Sequence, residues 1–260
     1  TEIYTLSLHD ALPISALLPA PWGDRPISFL RDVQPVLDRH CLGCHSGLRP
    51  AGGLDFFGGL TSHDRQVAGY GYNRAFETIL ERGLIERSPA REQDATITPP
   101  LAYGAWKSKL ITALRDKNHA GAVRLSGEDR LRLTMWIEAN GPYHDRFVDK
   151  RAEVPAYDIA ADTALRDALA SLHARRCAGC HKPEDVTRLD WIELRDARRC
   201  LFLTAPLTKA GGGAGKCAGR VYQAADDCDY QAALALVEAA VARAWASPRR
   251  DLVSLRPAAR

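Results

Sequence analysis

The sequence predicts a mainly α-helical chain made of two similar parts, and three observations carry that expectation. Apolar residues recur at three- and four-residue spacing in several separate windows. A Cys-x-x-Cys-His string occurs twice, at 41–45 and again 136 residues later at 177–181, each time directly behind such a window. Clusters of Gly and Pro divide the windows with long irregular stretches.

Taken in order, residues 16–27 hold Pro19, Pro21, Gly23 and Pro26 and read as a linker. Phe29, Val33, Val36 and Leu37 then follow a helical period that ends at His40, beside the first Cys. Arg49 to Gly59 is Gly-rich, contains Phe56 and Phe57, and is expected to fold back as a loop. Phe76, Ile79, Leu80 and Leu84 restore the helical period over 73–84. Thr98-Pro99-Pro100 breaks the chain before a helix through Trp106, Leu110 and Leu114. The clearest helix is 127–140. Ser126 is its N-cap with Asp129 three residues on, Leu131, Leu133, Met135, Trp136 and Ile137 form its apolar surface, and Gly141-Pro142 stops it. Residues 145–161 read as a connection between two domains. Leu165, Leu169 and Leu172 make a helix leading into the second motif. A Gly-rich loop at 211–215 precedes a last helix through Ala232, Leu236, Ala239, Ala240 and Trp245.

Cys-x-x-Cys-His is the attachment signature of a c-type haem: two thiols add to the two vinyl groups, and the next imidazole reaches the iron. Seven Cys and eight His in 260 residues would give on the order of 0.006 such strings by chance. Redox or zinc Cys-x-x-Cys pairs that happen to precede a His are the weaker reading. The expectation is two covalently attached haem c groups, on Cys41, Cys44 and His45 and on Cys177, Cys180 and His181.

Composition agrees with an ordinary globular chain: 46% hydrophobic and 26% charged. A net charge of +3 with no basic stripe gives no reason to expect nucleic acid. No run of about 18 apolar residues is present, so no membrane span is expected. Covalent haem implies a periplasmic or extracytoplasmic location. Residues 1–15 resemble translated sequencing adaptor rather than native protein, which removes His9 as a ligand, and an export signal is expected upstream of this fragment.

The sixth iron ligand separates relay chemistry from reactive chemistry. His119, in a polar turn ahead of the capped helix, is the leading candidate distal ligand of the first haem, against a solvent-exposed loop His. Met135 reads as a core residue first and an axial thioether second. His63 and His144 are lesser candidates, with surface loops as the alternative. His40 and His173 are expected beside the haems rather than over them. No His follows His181, so the second haem takes an upstream ligand, a non-His ligand or none.

Three Cys remain. Cys217 and Cys228 form a candidate disulfide, with tolerated thiols as the alternative, and Cys200 is left over. The stretch 210–217 lacks the residues and the strand of a phosphate loop. Asp226, Asp227 and Asp229 read as a solvated turn before a calcium site.

The stretch 31–45, Thr98 to Gly104 and Trp136 to His144 resemble planctomycete-type cytochrome c domains. Leu201 to Leu207 is similar to a segment of hydrazine-synthase alpha-subunit-like proteins. The similarity runs over roughly residues 28–245. It implies two cytochrome c-like helical haem domains with long loops, 28–150 and 151–260, in the C-terminal part of a larger exported protein behind a β-propeller-like region. It also strengthens His119, because a His ahead of the closing helix belongs to the family pattern. Hydrazine synthesis does not carry over.

The leading functional expectation is a di-haem module for electron transfer, with a redox partner protein and other subunits as partners. The alternative is an oxidoreductase domain in which one open-sited haem acts on a small nitrogen or oxygen species. A haem-based sensor or interaction domain stands third.

Overall fold

The computed structural model describes residues 19–61, 72–87, 99–146, 157–217, 221–249 and 252. Among these residues the chain is mainly helical, with no strand and two isolated bridges, Leu60–Asn73 and Leu207–Tyr222. No described helix is long and apolar enough to cross a membrane.

The first helix opens as a π-helical turn, Phe29–Val33, and continues as α1, Gln34–His40, with Pro35 in its first turn. Phe29, Val33, Val36 and Leu37 are fully buried on one face, as their spacing requires. Asp32 is buried on the same segment, so its carboxylate needs donors. It receives them from Arg25 at 2.7 and 2.9 Å, from Arg132 at 2.9 Å and from the backbone N–H of Ser28 at 2.8 Å.

Helix α2, Arg74–Glu81, begins at Asn73, whose side chain accepts from the Phe76 N–H at 2.9 Å. Asn73 also donates to Gln34 Oε1 at 2.7 Å, and its own N–H donates to the Tyr143 hydroxyl at 2.9 Å. This buried network joins α1, α2 and the segment that carries Tyr143. Two short helices follow, α3 (Lys109–Ala113), capped by Ser108, and α4 (Lys117–Ala120), capped by Asp116.

Helix α5, Gly127–Glu138, is capped by Ser126, which accepts from the Asp129 N–H at 3.0 Å. It closes the first core by packing across the Phe29–Val33 turn. Phe29 stands 5.0 Å from Phe76 and 5.3 Å from Trp136, ring centre to ring centre. Leu133, Trp136 and Ile137 are buried, but Leu131 and Met135 are 41% and 43% exposed. The five apolar residues expected on one surface therefore split between two faces, because 131 and 135 lie half a turn from 133 and 137. Trp106 is also 66% exposed and lies before α3, not in it.

Residues 147–156, most of the expected connection, lie outside the described residues. Helix α6, Thr163–Arg176, starts at Asp162, which accepts from the Leu165 N–H at 2.9 Å. Helices α7 (Pro183–Val186) and α8 (Leu201–Thr204) are single turns. Helix α9, Cys228–Ala246, is capped by Asp227 and packs on α6. Arg176 at the end of α6 pairs with Asp227 and Asp229 at the start of α9. The acidic cluster expected as a solvated turn is thus a helix cap and a dock for α6.

Two hydrophobic clusters result, one from residues 29–143 and one from 159–252, and they are not separate in space. Leu60 of the first stretch packs in the second cluster. Arg74 pairs with Asp190 at 2.6 Å, Arg195 with Asp38 at 2.6 Å, and Arg249 donates to the Thr61 carbonyl at 2.6 Å. Gly59 makes the closest approach: a Cβ there would lie 1.8 Å from the Asp190 carbonyl oxygen.

Candidate haem-attachment sites

Both Cys-x-x-Cys-His strings adopt the same backbone. Helix α1 ends at His40 and α6 at Arg176, and the next residue, Cys41 or Cys177, caps each with φ near −115° (−117° and −114°). The Cys41 N–H donates to the Leu37 carbonyl at 2.8 Å, and the Cys44 and His45 N–H groups donate to the Cys41 carbonyl at 3.2 and 2.9 Å. The second turn repeats this: Cys177 to His173 at 2.6 Å, then Cys180 and His181 to Cys177, both at 2.9 Å. Each motif thus projects two free thiols and an imidazole from one tight turn at a helix end. Each leading helix is also packed by a closing helix, α5 or α9.

At the first turn, His45 Nδ1 lies 3.0 Å from the Ala51 carbonyl, which can only accept, so Nδ1 carries the proton and Nε2 keeps its lone pair. Burial lowers the His45 pKa, its hydrogen bonding to the Ala51 and Leu54 backbone opposes this, and the nearby His119 lowers it further. The ring is therefore neutral, the form that binds a metal. Phe56 stands 5.1 Å away, so the loop after the motif folds back towards His45.

His119, on α4, faces His45 with ring centres 6.1 Å apart and planes 8° from parallel. Two imidazoles bound to opposite sides of one first-row metal, each at about 2.0–2.1 Å, would have ring centres about 6.3–6.5 Å apart, slightly wider than this pair. His119 Nδ1 is buried with no hydrogen-bond partner. These four residues suit a haem c chemically: Cys41 and Cys44 would supply the thioethers, and His45 and His119 would offer imidazole nitrogen to the iron.

The second turn differs. His173, one helical turn before Cys177, is 4% exposed, and its Nδ1 lies 3.2 Å from Cys177 Sγ. Among the described residues no ring stands to His181 as His119 stands to His45. Burial raises the Cys177 thiol pKa, and Cys217 and Cys180 add to the effect. Cys217 therefore lies beside the second motif. It and Cys228 are both free thiols, so the structure does not contain the candidate disulfide. Cys200 is buried in the core, and burial pushes its thiol far up.

The other candidates fall away from the motifs. His40 Nε2 is held at 3.0 Å by Asp129 and stands beside the first turn as expected. His144 packs its ring against Tyr143. Met135 is exposed on the outer face of α5, neither core nor facing His45. His9 and His63 lie outside the described residues. Trp136 fills the first core and Trp191 the second.

A cleft of 810 Å³ lies between the two halves, lined by Pro50 and Gly53 behind the first motif and by Glu184 and Thr187 behind the second. Among its charged residues, Arg74 and Arg188 both pair with Asp190.

No family model, curated protein or solved structure matches the chain.

Proposed function

We propose that the chain is a di-haem c-type cytochrome module that relays single electrons, with Cys41, Cys44, Cys177 and Cys180 as thioether anchors. His45 and His181 are the proximal ligands and His119 is the distal ligand of the first haem. The observation that carries this reading is the repeated helix-end turn, with a second imidazole parallel to the first and 6.1 Å from it. When bound, each haem supplies a one-electron ferric/ferrous couple.

The chain's own residues hold that couple in place. Ala51 fixes the His45 tautomer and ring, the carbonyl acting as an outer-shell acceptor that raises ligand basicity. The Asp32 and Asp129 contacts to Arg132, Arg39 and His40 lock α5 against α1, and so keep α4 at a set distance from the first motif. The contacts across Asp190, Asp38 and Thr61 fix one half relative to the other, as a relay between two centres requires. The module belongs to an exported, periplasmic or extracytoplasmic protein and passes electrons to a redox partner protein, with other subunits or an upstream β-propeller-like region attached.

A second reading is favoured by the inequality of the two turns. His173 is buried and contacts Cys177, and no ring among the described residues stands to His181 as His119 stands to His45, so the second haem is the one with room for a small nitrogen or oxygen species and the chain is then an oxidoreductase domain.

Export of the chain in a host that matures c-type cytochromes tests both readings. The expected product carries two covalent haems per chain. Low-temperature EPR and CO addition then decide between them: two low-spin, CO-inert haems support relay alone, and one high-spin, CO-reactive haem supports the enzyme. A chain that acquires no covalent haem overturns both.

A further inference from the structure

The two motifs share a backbone but differ in the side chain one turn ahead of the first cysteine. At the first motif that residue is Leu37, buried in the core. At the second it is His173, as deeply buried at 4% exposure, with Nδ1 3.2 Å from Cys177 Sγ and Nε2 buried without a partner. A buried imidazole in place of a leucine carries a desolvation cost, and here its only hydrogen-bonding contact is with a thiol. Phe202 stands edge-on to the ring at 5.9 Å and 90°, which fixes the ring plane. A thiol and an imidazole within hydrogen-bond reach is the arrangement of an activated nucleophile and its base.

We infer that His173 and Cys177 form a nucleophile–base dyad whose substrate is a haem vinyl group, so that His173 drives formation of the Cys177 thioether. The inference rests on the haem-attachment reading above. Cys177 Sγ would give its proton to His173 Nδ1. The vinyl π pair would take that proton at the terminal carbon, leaving the positive charge on the carbon next to the porphyrin ring, where the ring stabilises it, and the thiolate sulfur would bond there. The sum is addition of S–H across C=C, with no oxidant and no change at iron. Burial holds the Cys177 thiol protonated at neutral pH, so a base at hydrogen-bond distance has a task there. Cys41 is likewise pushed up, to about 11, but has Leu37 in the matching position and no such base. The first motif is thus an internal control.

The test is a pulse expression of the exported full chain as wild type, His173→Leu and His173→Gln, with the thioethers at Cys41, Cys44, Cys177 and Cys180 quantified by peptide mass spectrometry. General-base assistance contributes about 10²–10⁴-fold, so the Cys177 bond is expected to form at least about tenfold more slowly in both variants. The bonds at Cys41, Cys44 and Cys180 keep their rates, leaving a second haem held by one thioether with a shifted ferrous absorption band. Formation of the Cys177 bond at the wild-type rate in either variant overturns the dyad. Joint loss of the Cys177 and Cys180 bonds in both variants assigns His173 to packing and overturns it as well. Failure of the parent reading looks different: the wild-type chain itself then carries no covalent haem.

Discussion

The imidazoles of His45 and His119 face one another across 6.1 Å, 8° from parallel, although 74 residues separate them in the chain. The backbone achieves this with a helix end on one side and a single capped turn on the other. Asp116 accepts from the Asn118 N–H at 2.8 Å, and α4 holds His119 before α5 begins.

Replacing His119 by Ala is expected to convert one haem from low spin to high spin and make it reactive towards CO, leaving the other unchanged. EPR of the oxidised protein and CO difference spectra read this directly. Two unaltered low-spin signals would remove His119 from the ligand set.

Arg132→Leu leaves the Asp32 carboxylate, whose side chain is fully buried, with one guanidinium instead of two. Removing a partner from a buried ion pair costs about 3–5 kcal/mol, and the retained Arg25 contact puts the expected loss at the lower end of that range. Urea denaturation gives the value. A change below about 0.5 kcal/mol, the scatter of ordinary surface substitutions, would mean Arg25 alone satisfies the carboxylate.

Gly59→Ala puts a methyl group where the Asp190 carbonyl stands, at 1.8 Å, and backbone on both sides leaves no flexible group to yield. Overpacking of this kind costs about 1–3 kcal/mol or more. The expected result is a lower melting temperature and loss of the Arg74–Asp190 contact. Gly43→Ala, which meets open space, is the matched control.

Acid should loosen the same seam. Burial alone would raise the Asp190 pKa, but the hydrogen bond and charge of Arg188, with those of Arg74, outweigh it and hold the carboxyl below its usual value. A depressed folded pKa means stability that is present above the unfolded value of about 3.9 and lost as pH falls through the lower folded value. Urea midpoints measured from pH 5 downwards should therefore decline below about pH 4, and more steeply in wild type than in Asp190→Asn. Parallel curves would exclude Asp190 as a source of the acid sensitivity.

Much of the scaffold was legible in the sequence because its signals are local. Ser126 and the apolar period around Leu133 to Ile137 mark α5, and Leu165 and Leu169 mark α6. The two motifs mark the helix ends behind them. What was not legible depends on partners far along the chain. Asp32, Gln34 and Asn73 are polar residues in a core, satisfied in part by Arg132, 100 residues beyond Asp32, and by Tyr143, 70 residues beyond Asn73. The acidic stretch before α9 did carry a local signal: an Asp directly ahead of a helical period is an N-cap. Met135 shares a helical face with Leu131, which reads as core in the sequence, but that face is the outer one and both residues are exposed. At the site, the pairing of His119 with the first motif was legible from its place ahead of α5. The contact of His173 with Cys177 was also within reach, since residues four apart on a helix are neighbours.

Leu60 sits in a hydrophobic cluster otherwise built from residues after 157, and Thr61 accepts from Arg249 near the other end of the described chain. A gene truncated between the two halves would export a first half with a bare leucine and a second with a missing wall. The chain is therefore expected to melt as one unit, and transplanting a single motif into another scaffold would have to bring Gly59 to Thr61 along with it.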